Sequence, residues 1–213
     1  MKPSIVYKIA YQEWKILMAC KNMKQMYGLT FEERSISNRE MLVLLHGMVQ
    51  KGMLCVKEER LQLCETYEYL LELVRKSEYF FAFRYIREDA FKRGSLYLGE
   101  QLLWIENSDC RKETYEITLL SAMDWEEWML EQQFFPCYCS YEIEMDWKEI
   151  ETMQSGEEKF RVQMRRVENG ECDRELVLYE SQGKEYLVRK DKEITSFLTY
   201  HQNHLLKELR SWM

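Results

Sequence analysis

Apolar positions in the first part of the chain recur at helical spacing. Ile5, Ile9, Ile16, Cys20 and Met23 fall within about 60° of one another on a helical wheel, with the lysines off that stripe. The pattern predicts an amphipathic helix over residues 4–26, stopped by Gly28. A second start signal is Ser37-Asn38-Arg39-Glu40, a capping box in which Ser37 takes orphan amides and Glu40 reaches back. Met41, Leu44, Leu45 and Met48 would form the buried face of that helix, and Gly52 would end it. The short apolar runs Met53–Val56 and Leu61–Leu63 flank the charged residues 57–60, which reads as a β-hairpin with a polar tip. A third helix follows at about 65–77, burying Tyr67, Leu70, Leu71 and Val74.

From Tyr79 the period changes to two. Tyr79, Phe81, Phe83 and Tyr85 alternate with Phe80, Ala82, Arg84 and Ile86, a strand with one aromatic face. Residues 96–98, 102–105 and 115–120 suggest further strands of a meander. Asp124 with Glu127 caps another helix, which buries Trp125, Trp128 and Met129 and ends before Pro136. Tyr141, Ile143 and Met145 alternate with acids, predicting a strand and then a short helix at 146–154. Residues 160–167, 176–179 and 185–189 read as a three-stranded antiparallel meander, with Asn169-Gly170 and Gln182-Gly183 as turn-formers. A closing helix over 193–212 would bury Ile194, Phe197, Leu198, Leu205, Leu209 and Trp212. This order is not a βαβ alternation. It predicts an α+β fold with mainly antiparallel sheet, a helical part over 1–78, and sheet plus helices over 79–213 ending in a C-terminal helix, all in one compact unit.

Composition narrows the class. With 46% hydrophobic and 14% aromatic residues the chain can build a core, while 8 Gly and 2 Pro are too few for a barrel or sandwich of many turns. The most apolar run, Met41–Gln50, is ten residues, short of the roughly 20 that span a bilayer. Lys8, Glu13 and Lys15 interrupt any leader-like apolar stretch, so a cytoplasmic location is expected. Seven cysteines without a framework predict reduced, mostly buried thiols.

The net charge of −7 is polarised. Residues 124–158 hold eleven acids against Lys148, a local balance of −10, whereas residues 1–27 hold five lysines against Glu13. Such a layout suits protein partners.

Catalytic chemistry leaves no signature. No phosphate-binding glycine loop, G-x-S-x-G or H-E-x-x-H occurs, and no cofactor is implied. Cys137-x-Cys139 and His201-x-x-His204 are the only ligand-like pairs, but C-x-C is not the usual zinc spacing, and a core histidine accounts for His201. A hydrolase would need His201 or His46 united with a cysteine or several acids, and nothing in the sequence selects such a set. The carboxylates Glu126, Glu127, Glu142, Glu144, Asp146, Glu149 and Glu151 read as a solvated acidic face whose functional variant is docking a basic partner surface.

The capped helix, Gly52, and the strands either side of a charged tip resemble the helix-and-wing part of a winged-helix module. In DNA-binding members the helix corresponding to residues 38–51 would enter the major groove. Here that helix carries Arg39 and Lys51 against Glu40, and residues 31–78 hold seven basic and nine acidic residues, which is no phosphate footprint. More widely, a helical start with the helix–hairpin of residues 44–63, an antiparallel sheet, and strands followed by a helix at 95–134 and again at 160–212 resemble the substrate-chaperone family associated with type VII secretion. That resemblance lies in element order and carries over no functional residue. It implies a cytosolic, non-enzymatic protein that binds a secreted helical partner.

The expected function is therefore a non-enzymatic protein-interaction module, such as an adaptor or secretion chaperone. Its partner contacts would be Glu126, Glu127, Glu142, Glu144 and Asp146 on the acidic side, with Arg39 and Lys51 on the capped helix. The alternative is a winged-helix transcriptional regulator binding DNA. No membrane partner is expected, and the pattern leaves oligomeric state open.

Overall fold

A computed structural model describes residues 6–24, 26, 35–87, 90–109, 114–121, 125–132, 134, 159–181, 184–192, 194–199 and 202–212. The chain divides into two units, residues 1–77 with 97–120, and residues 78–96 with 121–213. The fold is α+β and mainly antiparallel, and its last element is a helix.

In the first unit, strand β1 (Val6–Ala10) leads directly into helix α1 (Tyr11–Cys20). The expected helix over 4–26 is thus corrected. Val6–Ala10 pairs antiparallel with β7 (Thr114–Leu120), Ile9 facing Tyr115 across the ladder. Five residues satisfy either period, and a partner a hundred residues away decides between them. The buried stripe of α1 is also different from the predicted one. It consists of Tyr11, Glu13, Trp14, Leu17 and Met18, while Ile16 is half-buried and Cys20 exposed. The helix ends at Cys20 because Asn22 turns left-handed (φ 54°) and the amides of Asn22 and Met23 return to the carbonyls of Ala19 and Met18. Gly28, the predicted stop, lies outside the described residues.

Helix α2 (Asn38–Gln50) starts as its sequence predicts. The Ser37 hydroxyl accepts the Glu40 amide, and Glu40 accepts the Ser37 amide at 2.9 Å. Gly52 (φ 68°) closes it, its amide bonded to Val49 and that of Met53 to Met48. Of the four residues expected to be buried, Met48 is fully so, while Met41, Leu44 and Leu45 are half-buried. The hairpin β2 (Leu54–Lys57) and β3 (Arg60–Leu63) follows, then α3 (Glu65–Lys76), which buries Leu70, Leu71, Leu73 and Val74; Tyr67 is half-buried. Strand β6 (Leu102–Asp109) lies on the other side of β7, giving the order β1-β7-β6.

The second unit has strand order β5-β4-β8-β9-β10-β11, from β4 (Tyr79–Arg87), β5 (Ala90–Tyr97), β8 (Lys159–Glu168), β9 (Glu171–Ser181), β10 (Lys184–Asp191) and β11 (Ile194–Thr199). The aromatic alternation of β4 holds over its second half, while Phe80 on the other face is buried as well and Tyr79 is half-buried. Phe81, Phe83 and Tyr85 are buried and Arg84 and Ile86 exposed. Phe134 packs on Phe83, Tyr85 and Trp128 with centroids 5.7, 4.7 and 5.6 Å apart. Helix α4 (Trp125–Glu131) buries Trp125, Trp128 and Met129 as expected. The three-stranded meander is observed, turning between β8 and β9 through Asn169 and Gly170, both at positive φ.

The closing helix is shorter than predicted. Residues 194–199 form β11 against β10, with Ile194 exposed and facing Asp191, and only Gln202–Trp212 is helical (α5). Leu205, Leu209 and Trp212 are its buried residues, and Trp212 rests 6.3 Å from Phe81. The side chains of Phe197 and Leu198, and the expected strand and helix at 141–154, lie outside the described set. The thiols also differ from expectation. Cys20 and Cys172 are exposed and Cys55 and Cys64 half-buried, all unpaired by disulfides.

Candidate functional site

Helix α2 carries more apolar residues than one face can hide. Its sequence places apolar side chains at 41, 42, 43, 44, 45, 48 and 49. Packing takes Met48 and part of Met41, Leu44 and Leu45, and the opposite side keeps Leu42 and Val43 at 69% exposure each and Val49 at 36%. Further along, the cross-strand pair Val56 and Leu61 is exposed at 64% and 44% beside the left-handed tip Glu58-Glu59. Scattered surface aliphatics are ordinary, and here five of them fall within twenty consecutive residues.

At the start of α2 the surface deepens. Gln12 of α1 with Ile36, Arg39, Glu40, Val43 and Leu44 lines a hollow of about 420 Å³. Gln12 Nε2 is itself buried and has no hydrogen-bond partner among the described residues. Glu40 is occupied, since its Oε2 takes both the Ser37 amide and the Ser37 hydroxyl at 2.9 and 2.8 Å. Arg39 is exposed and makes no ion pair among the described residues. Mid-helix, His46 shares a 2.9 Å hydrogen bond with Gln50.

The sequence-derived contact residues are dispersed. Arg39 and Lys51 stand at opposite ends of α2. Lys51 Nζ sits 2.5 Å from Glu13 Oε1 and so is tied to the unit's interior. Glu126 and Glu127 occupy the first turn of α4. Glu126 is clamped by the Arg210 guanidinium, whose hydrogen bonds hold its carboxyl below the usual range, whereas Glu127 is exposed. Glu142, Glu144 and Asp146, like Cys137, Cys139 and His201, lie outside the described residues. Sequence reasoning missed Gln12, Leu42 and Val43. The available signal was the all-round apolarity of α2, which one core face could not absorb.

Activated nucleophiles and metal clusters do not emerge among the described residues. Burial pushes the thiols of Cys20, Cys64 and Cys172 upward, opposite to the shift a reactive thiolate needs. No group of three or more His, Cys, Asp or Glu could hold a metal there. No helix among them is long and apolar enough to cross a membrane.

No family model matches the sequence, and no curated protein resembles it significantly in sequence. A solved structure does resemble it in fold. The Mycobacterium tuberculosis type VII secretion system chaperone EspG5, in complex with the PE25-PPE41 dimer, superposes with a TM-score of 0.65. The match covers 97% of this chain and 95% of that one at 7% identity. The chain has the fold of a type VII secretion chaperone. Element order foretold that likeness, and at this identity it is a statement about fold.

Proposed function

We propose that this chain is a non-enzymatic chaperone or adaptor that binds another protein, in the manner of the secretion chaperone whose fold it shares. The carrying observation is that the likeness runs over nearly the whole length of both chains, and that the solved relative holds a protein dimer. The aliphatic surface of α2 and the hairpin supports the same reading, because large exposed Leu and Val side chains gain only by leaving water. Arg39 and Glu127 are exposed on α2 and α4, and Lys51 is exposed too although paired with Glu13. The acids Glu142, Glu144 and Asp146 belong to the same proposed surface set. A secreted helical protein is the partner class, and the cytoplasm the place where it would be held before export.

The winged-helix alternative is weaker. A recognition helix that shows Leu42, Val43 and Val49 with a single free arginine offers few phosphate contacts.

The test is affinity purification of the tagged chain from its native host, with mass spectrometry and co-expression of the partner found. A stoichiometric protein that becomes soluble only with this chain is the expected result. Recovery of no partner, together with metabolite turnover or salt-sensitive binding to duplex DNA, would overturn the reading.

A further inference from the structure

We propose that the outer edge of β11 pairs with the same edge of a second copy of this chain, the two strands running antiparallel about a two-fold axis at Phe197. The inference stands apart from the chaperone reading, since it needs no foreign partner.

The hydrogen-bonding pattern leaves this edge open. β11 ends the strand order, and among the described residues no strand lies beyond it. Asp191 and Ile194 face each other across residues 192 and 193, with Lys192 left-handed at φ 54°. In a two-residue hairpin that closing pair exchanges both main-chain hydrogen bonds, and bonded and non-bonded pairs then alternate along the ladder. Ile194, Ser196 and Leu198 therefore direct their main-chain groups to Asp191, Arg189 and Leu187. Thr195, Phe197 and Thr199 turn theirs away from β10, where they need water or another strand.

Edge strands are commonly blunted by charge, proline or a bulge. Residues 194–200 contain no charged residue, no proline and no glycine, and the register with β10 runs from Ile194 to Thr199 without a shift. Ile194 is 71% exposed and Thr195 is exposed beside it. The end strand β1, by contrast, carries the exposed Lys8, paired with Glu116.

Symmetry then selects the occupant. In a two-fold ribbon any charge on the strand is duplicated close to its like, and a neutral strand escapes that repulsion. The outward residues are centred on Phe197, so an axis there sets Phe197 against its own mate and Thr195 against Thr199. Each of these is a pair that exchanges hydrogen bonds, and the open groups of both strands are satisfied together. A foreign strand selected by charge would find none on 194–200 to recognise.

The test uses the full chain. Sedimentation equilibrium should show a monomer–dimer equilibrium. Amide exchange followed by NMR at low and high protein concentration should protect Thr195, Phe197 and Thr199 only in the dimer, with Ser196 and Leu198 protected in both. Thr195→Pro removes an outward amide without touching the β10 ladder, and Thr195→Lys places a charge on the edge while keeping that amide. Each should weaken dimerisation by about tenfold or more and leave the circular dichroism of the monomer unchanged. A monomer at every concentration, a dimer indifferent to both substitutions, or outward amides that exchange equally fast in monomer and dimer would overturn the proposal. So would protection of those amides only when a native partner is added, which would place a foreign strand on the edge.

Discussion

Lys51 Nζ lies 2.5 Å from Glu13 Oε1, and the other oxygen of that buried carboxylate accepts the Ala10 amide at 2.9 Å. One side chain thus caps the first turn of α1 and anchors the C-terminal end of α2 to it. Removing Lys51 leaves a carboxylate with its charge enclosed, which is the costly way to break such a pair. Lys51→Met should lower unfolding stability by about 1–2 kcal/mol, less than a fully buried pair because the lysine is half in water. Glu13→Ala should cost more, about 2–3 kcal/mol, since the cap goes as well. Urea denaturation of the two variants checks the order, and Lys51→Met matching the parent would show the pair to be dispensable.

The hollow at Gln12 makes a prediction of the opposite sign. An unsatisfied buried donor costs about 1–3 kcal/mol, so an apolar replacement of similar size should relieve it. Gln12→Leu is expected to raise stability by about 1 kcal/mol in the free chain. A fall in melting temperature would mean that the amide is satisfied in solution.

At the hairpin tip, Glu58 and Glu59 both hold left-handed backbone, φ 51° and 59°, between the paired residues Lys57 and Arg60. A two-residue turn of this hand favours Asn-Gly, and each ordinary residue there costs about 1 kcal/mol. The double variant Glu58→Asn, Glu59→Gly should therefore be more stable by about 1–2 kcal/mol. Thermal unfolding decides it, and loss of partner binding in the more stable protein would assign the glutamates to recognition.

Three carboxylates are held below the ordinary range in the folded chain, Glu175, Glu126 and Glu72, the last through its hydrogen bond to Arg75 on the surface of α3. Burial pushes Glu175 upward, but hydrogen bonds from Arg165 and Gln163, both at 2.6 Å, and the charges of Arg165 and Lys190 outweigh it and leave its carboxyl lowered. Glu126 is lowered by its hydrogen bonds to Arg210. Groups depressed in the folded state add stability that is complete above the ordinary carboxylate value of about 4 and is lost as pH falls through the folded value. Melting temperature should drop steeply below about pH 4, and Glu175→Gln should flatten that drop while lowering the plateau near neutrality. Parallel curves for parent and variant would contradict the assignment.

Several features whose partners are neighbours in sequence were determined by the sequence alone. The Ser37–Glu40 box, the Gly52 stop, the Leu54–Leu63 hairpin, the aromatic alternation of β4 and the Asn169-Gly170 turn are all local signals with local readouts. Element order was likewise enough to anticipate the chaperone fold. Only tertiary structure could turn Val6–Ala10 into a strand, because its ladder partner, Thr114–Leu120, lies a hundred residues away. Ile194–Thr199 escaped for another reason, since its partner β10 is the adjacent strand and the hairpin is local, but its apolar residues fit the helical period and read as part of α5. Short apolar runs fit both periods, and long-range hydrogen bonding outweighs their intrinsic preference. Tertiary structure also decided which apolar residues of α2 stay in water. Periodicity marks a helix as apolar all round, but only the packing of its neighbours leaves Leu42 and Val43 uncovered.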